Sequence, residues 1–205
     1  MTSLLHLNNI ILTLIVYLAT IMDKLSLKVP ETVTFEQAIA LTQSLLSQVE
    51  AGELKEPEIA AVITELVKTE NGARGFFVTY LTSESSLADN PPAAVVQALG
   101  TSPEVVELLV KNLAMSAAQT VYHRRNHKED MALSSERVHK RTAHLIELVN
   151  LTAVSDRIQQ LQETITRGEG SYKAFLERWG YDTEQKTAIS QALQRVISHQ
   201  KLKLF

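Results

Sequence analysis

The sequence contains no cysteine and only a few of the residues that interrupt helices. The absence of cysteine excludes disulfides, thiolate metal sites and cysteine nucleophiles, and it fits a reducing compartment such as the cytoplasm. Seven glycines and five prolines in 205 residues leave room for long helices, and aromatic residues make up only 5%. Since 45% of the residues are hydrophobic, the chain is too apolar for intrinsic disorder and must build its core mainly from Leu, Ile, Val and Ala.

The usual sequence signatures of catalysis are also missing. No Gly-rich phosphate loop, Gly-x-Ser-x-Gly elbow or His-Glu-x-x-His motif occurs. One Glu-x-x-His is present, from Glu136 to His139, but a di-iron bundle needs a second copy and two further glutamates. His139 and His144 would point about 140° apart on a helix, so they are not expected to share a metal ion. We therefore predict a binding protein rather than an enzyme, without catalytic residues, metal or cofactor.

An alternative function uses histidines in a pocket between helices. His123 and His127 are four residues apart, which would place them one turn apart on the same face of a helix. Imidazole titrates near neutral pH, so such a pair has the chemistry for proton transfer. An enzyme or a cofactor carrier that uses these two histidines is therefore the alternative to a binding protein.

Capping and stop signals divide the sequence into helices. Residues 34–37 and 182–185 have capping-box spacing, and Gly52 and Gly180 follow apolar stripes as C-terminal stops. No two alternating apolar runs are present that could pair as strands. The sequence therefore predicts an all-α protein, a single globular bundle of about seven helices over residues 23–205.

Two interior features of this bundle follow from the pattern. Residues 74–83 predict a short buried helix, with Gly72 and Gly75 as a sharp corner before it. The helix that begins near residues 101–104 is apolar over most of its circumference. A helix with this distribution is surrounded by other elements, so we expect it to be the central one.

The first 22 residues differ in composition from the rest. An uncharged apolar run lies within residues 4–22. It is long enough to span a bilayer only if all residues from 4 to 22 are counted. No Lys or Arg precedes the run, unlike a cleaved signal peptide, and Lys24 and Lys28 after it would keep the globular part on the cytoplasmic side of a membrane. Residues 1–22 are interpreted as a membrane anchor, a packed helix or sequence upstream of a translation start at Met22. The protein is expected to be cytoplasmic, or membrane-associated and facing the cytoplasm.

The densest positive charge lies in one segment, residues 124–141. Its six Lys and Arg stand against three Asp and Glu, so the segment carries about +3 while the whole chain carries −3. We expect it to be exposed at the tips of two consecutive helices and to bind an acidic or phosphorylated protein surface or another anionic ligand. This hypothesis requires that the guanidinium groups are not already paired with carboxylates of the same fold. The predicted binding residues are His123, Arg124, Arg125, His127, Lys128, Arg137, His139, Lys140 and Arg141.

Nucleic acid is a less favoured partner. Residues 94–106 resemble the helix, glycine turn and helix of a helix-turn-helix reader, but Glu104 and Glu107 would face the phosphates from the first turns of its recognition helix. The basic segment has the charge for nonspecific phosphate contacts. Tyr122 is the only aromatic residue beside it, so a stacking platform for single strands is not evident.

A short aromatic stripe lies near the C-terminus. Tyr172, Phe175 and Trp179 recur at helical spacing, which places them on one face of a short helix. Packing in the core is the expected role of such a stripe. Side chains that are exposed next to each other would instead form a protein-binding patch, because large aromatic residues often anchor interfaces.

Overall fold

The computed structural model describes residues 27–100, 102–149 and 151–202. The predicted all-α class is confirmed: these ranges contain nine α-helices, one short 3-10 helix at Ser86–Ala88 and no strand, where the sequence predicts about seven helices. The predictions for residues 1–22 lie outside the described residues. The α-helices are α1 (Phe35–Glu50), α2 (Glu56–Leu66), α3 (Glu70–Thr82), α4 (Ala93–Leu99), α5 (Pro103–Arg125), α6 (Glu129–Val149), α7 (Thr152–Arg167), α8 (Lys173–Trp179) and α9 (Thr183–Leu202).

Local signals set the ends of several helices as predicted. At the start of α1 the Thr34 hydroxyl accepts from the Gln37 backbone N–H at 3.2 Å, and the Gln37 side chain accepts from the Thr34 N–H at 2.9 Å. The same reciprocal pair joins Asp182 and Gln185 before α9, at 3.0 and 3.2 Å. Each pair satisfies two N–H groups that would otherwise have no partner in the first turn. After α1 the chain turns at Gly52, whose φ of +70° suits a residue without Cβ.

The predicted corner at Gly72 and Gly75 is wrong, because both glycines lie inside α3. A Cβ at Gly75 would lie 2.5 Å from the Cβ of Ala38 and 2.9 Å from the backbone oxygen of Phe35. The absence of a side chain at Gly75 therefore lets α1 and α3 approach closely. A Cβ at Gly72 would meet the Leu66 carbonyl oxygen at 2.0 Å, so this glycine allows α3 to start directly after α2.

The long apolar helix α5 is the centre of the fold. Val105, Leu109 and Leu113 are fully buried in it, and α5 packs against α3, α6, α7 and α9. A three-residue turn connects α5 to α6, so these two helices form an antiparallel hairpin. Because α9 also packs on α5, α6 and α9 flank the same helix.

The helices before α5 complete the core. α1 packs against α3, and α2 packs against α4. Phe76, Phe77 and Tyr80 of α3 are almost fully buried, and the rings of Phe76 and Tyr80 stack with their centroids 5.1 Å apart. The Tyr80 hydroxyl donates to the Leu87 carbonyl oxygen at 2.6 Å and so attaches the segment after α3 to the core. α3 and α4 then contact α6, which joins the two parts of the fold.

No single helix in the described ranges combines the length and the apolarity that crossing a membrane requires. Only α4 and α5 taken together meet these criteria of length and composition, and the two helices are strongly bent against each other. The apolar residues of α5 belong to the buried core.

Candidate functional site

The basic segment is divided among three places in the fold. Arg124 and Arg125 lie in the last turn of α5, and Lys128 lies in the turn between α5 and α6. Arg137 and Arg141 lie about two and three turns inside α6. Only the first three residues are at the tip of the helical hairpin, so the segment is not one continuous exposed patch.

The two arginines at the end of α5 are paired with carboxylates of the same fold. The Nη2 of Arg124 donates to Oε2 of Glu136 at 2.7 Å, and its Nε lies 3.6 Å from Oε1 of Glu129. The Nη2 of Arg125 lies 2.7 Å from Oδ2 of Asp182. These contacts connect the hairpin tip to the first turns of α6 and to the start of α9.

Two cations inside α6 are paired as well. The Nη1 of Arg137 donates to Oε2 of Glu84 at 2.7 Å, and this hydrogen bond holds the pKa of the Glu84 carboxyl below its usual value. The Nζ of Lys140 lies 3.0 Å from Oε1 of Glu136. The hydrogen bond from Lys140, followed by that from Arg124, lowers the pKa of Glu136.

Arg141, which the sequence predicts to bind a partner, is a buried structural residue. Only 3% of the residue is exposed. Its Nε and Nη2 donate to the two carboxylate oxygens of Asp89 at 2.8 and 2.9 Å. Its Nη1 donates to the carbonyl oxygens of Leu81 (3.0 Å) and Ser83 (2.6 Å), and its Nη2 also donates to that of Ser85 (3.3 Å). We call this arrangement the arginine clamp, since it fastens the segment after α3 to α6.

The condition for a free cationic patch is therefore not met. All four arginines of the predicted site contact carboxylates of their own fold. Exposed ion pairs contribute little free energy, so the exposed members still present positive charge to solvent. Lys128 has no carboxylate partner among the described residues. Binding of an anionic partner stays a prediction for the other residues of the predicted set, which are His123, Arg124, Arg125, His127, Lys128, Arg137, His139 and Lys140.

His123 and His127 do not share a helical face. α5 ends at Arg125, and His127 lies in the following turn with a φ of +56°. His123 is helical and half-buried, and its Nδ1 is buried without a hydrogen-bond partner among the described residues. A spacing of four residues gives one face only where the helix continues through both positions. Here the helix ends between them.

Three other histidines line a groove between α6 and α9, which we call the α6–α9 groove. His139, His144 and His199 border this hollow of about 450 Å³, and α5 forms its floor. His139 and His144 point in different directions from α6, yet both border the groove. The hollow is wide enough to extend along α6 from Glu136 to Glu147. His199 was not identified from the sequence, since nothing local connects it to α6. The space arises at four alanines from three helices: Ala117, Ala143, Ala188 and Ala192.

The α6–α9 groove carries a small excess of positive charge. Glu147 Oε1 lies 3.4 Å from Nδ1 of His199. Arg195 donates to the Gln191 carbonyl at 3.3 Å and has no carboxylate partner among the described residues. Burial lowers the pKa of the His139 imidazole below its usual 6.5. Within the described residues, no three His, Asp or Glu side chains are placed to hold a metal ion. The Lys, Arg and Glu residues of the lining are Arg124, Lys140, Arg195, Glu136 and Glu147.

The aromatic stripe is divided between core and surface. Tyr172 is 2% exposed, and its hydroxyl donates to Oε2 of Glu107 at 2.8 Å. Burial, followed by this hydrogen bond, raises the pKa of Tyr172. Phe175 is partly buried against the core, whereas 44% of Trp179 is exposed and its ring stacks on Tyr181. Core packing therefore accounts for Tyr172 but not for Trp179.

A second groove, the α3–α8 groove, lies between α3 and α8 above α5. It is a hollow of about 510 Å³. Two of its residues, Val78 and Trp179, are each 44% exposed, which is unusual for large apolar side chains that lie in the same depression. Its apolar lining consists of Phe35, Phe77, Val78, Leu81, Leu108, Met115, Val138, Ala174, Phe175 and Trp179.

Cationic side chains surround the apolar lining of the α3–α8 groove. Arg74, Lys111 and Arg178 border it, against one acidic residue, Glu70. The three cations come from α3, α5 and α8, so the sequence does not show that they converge. The local signal that could have been used is on α8, where Arg178 and Trp179 follow Phe175 by three and four residues, the spacing of neighbours on a helix surface.

Comparison with known proteins gives one match. A family model with the description "Uncharacterised conserved protein UCP020893" matches residues 34–196. No curated protein and no solved structure matches the chain. The matched residues begin at the N-cap of α1 and end within α9. They therefore include every residue named for the α3–α8 groove and all but His199 of the α6–α9 groove.

Proposed function

The chain belongs to the family described as Uncharacterised conserved protein UCP020893, and we propose that it is a non-enzymatic helical binding protein. Its α3–α8 groove receives an acidic amphipathic helix of a partner protein. The observation that carries this proposal is an apolar depression with exposed Trp179, bordered by three cations. The acidic partner expected from the sequence is kept, but its site moves from the basic segment to this groove.

The apolar lining supports a binding role because it is partly exposed in the free protein. Trp179 and Val78 lie at the surface, while Phe77 and Leu81 below them are buried in the core. Covering the two exposed side chains would remove apolar surface from water, which is the main favourable term in association. Tryptophan is also the residue type most enriched among those that dominate binding energy at interfaces.

The cations around the lining specify the charge of the partner. Arg178 is exposed and has no carboxylate partner among the described residues. Arg74 is only 3.9 Å from Glu70, a loose and exposed pair. Lys111 forms a closer pair, 2.9 Å from Glu107, and lies over the Phe175 ring at 5.9 Å. Complementary charges at the edge of an interface select the partner and accelerate association, so a helix with glutamates or aspartates beside its apolar stripe fits this groove.

The shape of the depression favours a helix as the bound element. α3 and α8 form its two sides and α5 its floor. An amphipathic helix places apolar side chains at i, i+3, i+4 and i+7 into a groove of this kind and keeps its polar face in solvent. The described edges offer no exposed strand, so addition of a partner strand is not available in residues 27–100, 102–149 and 151–202.

The only tryptophan of the chain makes the proposal directly testable. We expect a synthetic helical peptide of about 20 residues, with leucines at i, i+3, i+4 and i+7 and glutamates elsewhere, to change the emission of Trp179 with saturation. Arg178→Glu should weaken its binding by about tenfold or more, because a repulsive contact replaces an attractive one. Fluorescence titration measures both.

The matched control is Arg167→Glu. Arg167 is also an exposed arginine in the last turn of a helix, but it borders neither groove. Arg167→Glu changes the net charge by the same amount as Arg178→Glu, and it should leave the affinity for the peptide unchanged. The proposal is wrong if a peptide with lysines in place of glutamates binds as tightly, if Arg178→Glu has no effect, or if anionic lipid vesicles change the emission while the peptide does not.

A further inference from the structure

We propose that the α6–α9 groove binds a small organic anion, with the charged head at Arg195 and His139 and the apolar body over the alanines. This site lies on a different side of α5 from the α3–α8 groove. It is therefore independent of the proposed partner helix. The argument depends on the space in the groove, on the distribution of its charges and on one unpartnered imidazole nitrogen.

The space is of the size that small molecules occupy. The hollow measures about 450 Å³, within the range of about 300 to 1,000 Å³ that is typical of ligand pockets. Ala117 on α5, Ala143 on α6 and Ala188 on α9 keep it open, since larger side chains at these positions would fill it. Their methyl groups make the floor and walls apolar, which suits the carbon skeleton of a ligand.

Most charges of the groove are already neutralised by each other, and one cation is not. Glu136 contacts both Arg124 and Lys140, at 2.7 and 3.0 Å. Glu147 contacts His199. Arg195 is the arginine of this groove that has no carboxylate partner in the described part of the chain. A planar guanidinium offers two parallel N–H donors to a carboxylate or phosphate, so an oxyanion is the ligand group that this residue can accept.

His139 provides the second contact. Its Nδ1 is buried and has no hydrogen-bond partner among the described residues. Burial lowers the pKa of the His139 imidazole in the free protein, because the low dielectric disfavours the charged form. A hydrogen bond with the Leu113 backbone opposes this shift, and the nearby charge of Arg195 adds to it. An anion beside the ring favours the imidazolium form of His139. Binding is therefore expected to be accompanied by uptake of a proton at His139.

Four probes test this proposal on the full chain: phenyl phosphate, benzoate, inorganic phosphate and phenol. Phenyl phosphate or benzoate should bind at least about tenfold more tightly than inorganic phosphate or phenol, because only the first two combine a charged head with an apolar body. The tighter of the two identifies the head group. Isothermal titration calorimetry measures the affinities, and in buffers of different ionisation enthalpy it also measures the proton uptake.

Two variants and one control locate the site. Arg195→Gln removes the guanidinium, and Ala188→Leu fills the half-buried space; each should weaken binding by about tenfold or more. Arg178→Gln, at the other groove, should leave it unchanged. In the NMR spectrum the ring signals of His139, His144 and His199 should move on binding, and those of His123 and His127 should not. Circular dichroism confirms that both variants fold.

Three results overturn the proposal. The first is binding of phenol as tight as that of phenyl phosphate, which would mean an apolar cavity without an anion site. The second is an Arg195→Gln protein with unchanged affinity. The third is the absence of binding by either organic anion. None of these results affects the peptide titration at Trp179, so the two proposals can fail separately.

Discussion

Arginine has different roles in two regions of this molecule, the arginine clamp and the hairpin tip. In the clamp, Arg141 is buried and all five N–H donors of its guanidinium have acceptors. At the tip, Arg124 and Arg125 each leave about half of the side chain exposed while contacting carboxylates. The two regions lie within one segment of high positive charge, so charge density in a sequence does not distinguish a structural arginine from a surface one.

The difference follows from the groups that each arginine contacts and from whether water can reach those groups. Arg141 donates to three backbone carbonyls, one in the last turn of α3 and two after it, that lie beside the core, where an unpaired polar group costs free energy. At the tip, water can replace the guanidinium of Arg125 as a partner of Asp182 at little cost. Removing the arginine should therefore lower the free energy of unfolding in the clamp and change it very little at the hairpin tip.

The largest effect is expected from Arg141→Ala. Loss of the five hydrogen bonds removes the guanidinium donors from the carbonyls of Leu81 and Ser83 and from the Asp89 carboxylate, and the expected loss of unfolding free energy is about 2–4 kcal/mol. Arg141→Lys should recover only part of this loss, because an ammonium group cannot reproduce the planar fork. Urea unfolding followed by circular dichroism measures both. A loss below about 1 kcal/mol for the alanine variant would contradict a structural role.

A smaller, pH-dependent effect is expected at Asp89. The hydrogen bond from Arg141 holds the pKa of the Asp89 carboxyl below its ordinary value of 3.8. Because the folded value is lower than the unfolded one, the contribution of Asp89 is present above about pH 4 and is lost as the pH falls through the folded value. The stability difference between the natural protein and Asp89→Asn should therefore shrink from pH 7 to below pH 3. Urea midpoints at several pH values measure it, and a constant difference would contradict the assignment.

Arg137→Ala is the matched control within α6. Arg137 precedes Arg141 by one turn and contacts Glu84 in the same segment after α3, but the pair is exposed. We expect a loss of only about 0–1 kcal/mol, decreasing further at 1 M salt because exposed charges are screened. The loss for Arg141→Ala should change little with salt. Equal losses for the two variants would remove the distinction between clamp and surface.

The smallest effect on stability is expected at the hairpin tip. Arg125→Ala should leave the urea midpoint unchanged within error. It should raise the pKa of Asp182 without restoring the ordinary value of 3.8, because the backbone N–H of Gln185 is the main cause of the lowered pKa and Arg125 is the second. An NMR titration of the carboxyl carbon measures this shift. Full restoration to the ordinary value would show that Arg125 alone sets the pKa.

The fold was largely predictable because its helix ends depend on neighbouring residues. The capping boxes at Thr34 and Asp182 and the apolar circumference of α5 are visible within short windows, and each is found in the structure. Gly75 was misinterpreted for the opposite reason. Its role depends on Ala38, a residue of another helix, and a glycine at a helix contact has no local pattern that separates it from a turn glycine.

The candidate sites were much less predictable, because they form where distant helices meet. Arg178 was not recognised because its neighbours in the groove, Arg74 and Lys111, belong to α3 and α5. The sequence predicts a surface position for Arg141, because its acceptors are more than 50 residues away along the chain. His199 likewise depends on where α9 crosses α5. The pattern within one helix shows on which face of that helix a residue lies. It does not show which other helix packs against that face.

The contact at Gly75 has a consequence for the breadth of the α3–α8 groove. The first residue of α1, Phe35, borders that groove, and its backbone oxygen would lie 2.9 Å from a Cβ at position 75. A methyl group at position 75 would be too close to α1, so the start of α1 and the Phe35 ring would have to move away from α3. The width of the α3–α8 groove at Phe35 therefore depends on a buried glycine that does not itself line the groove.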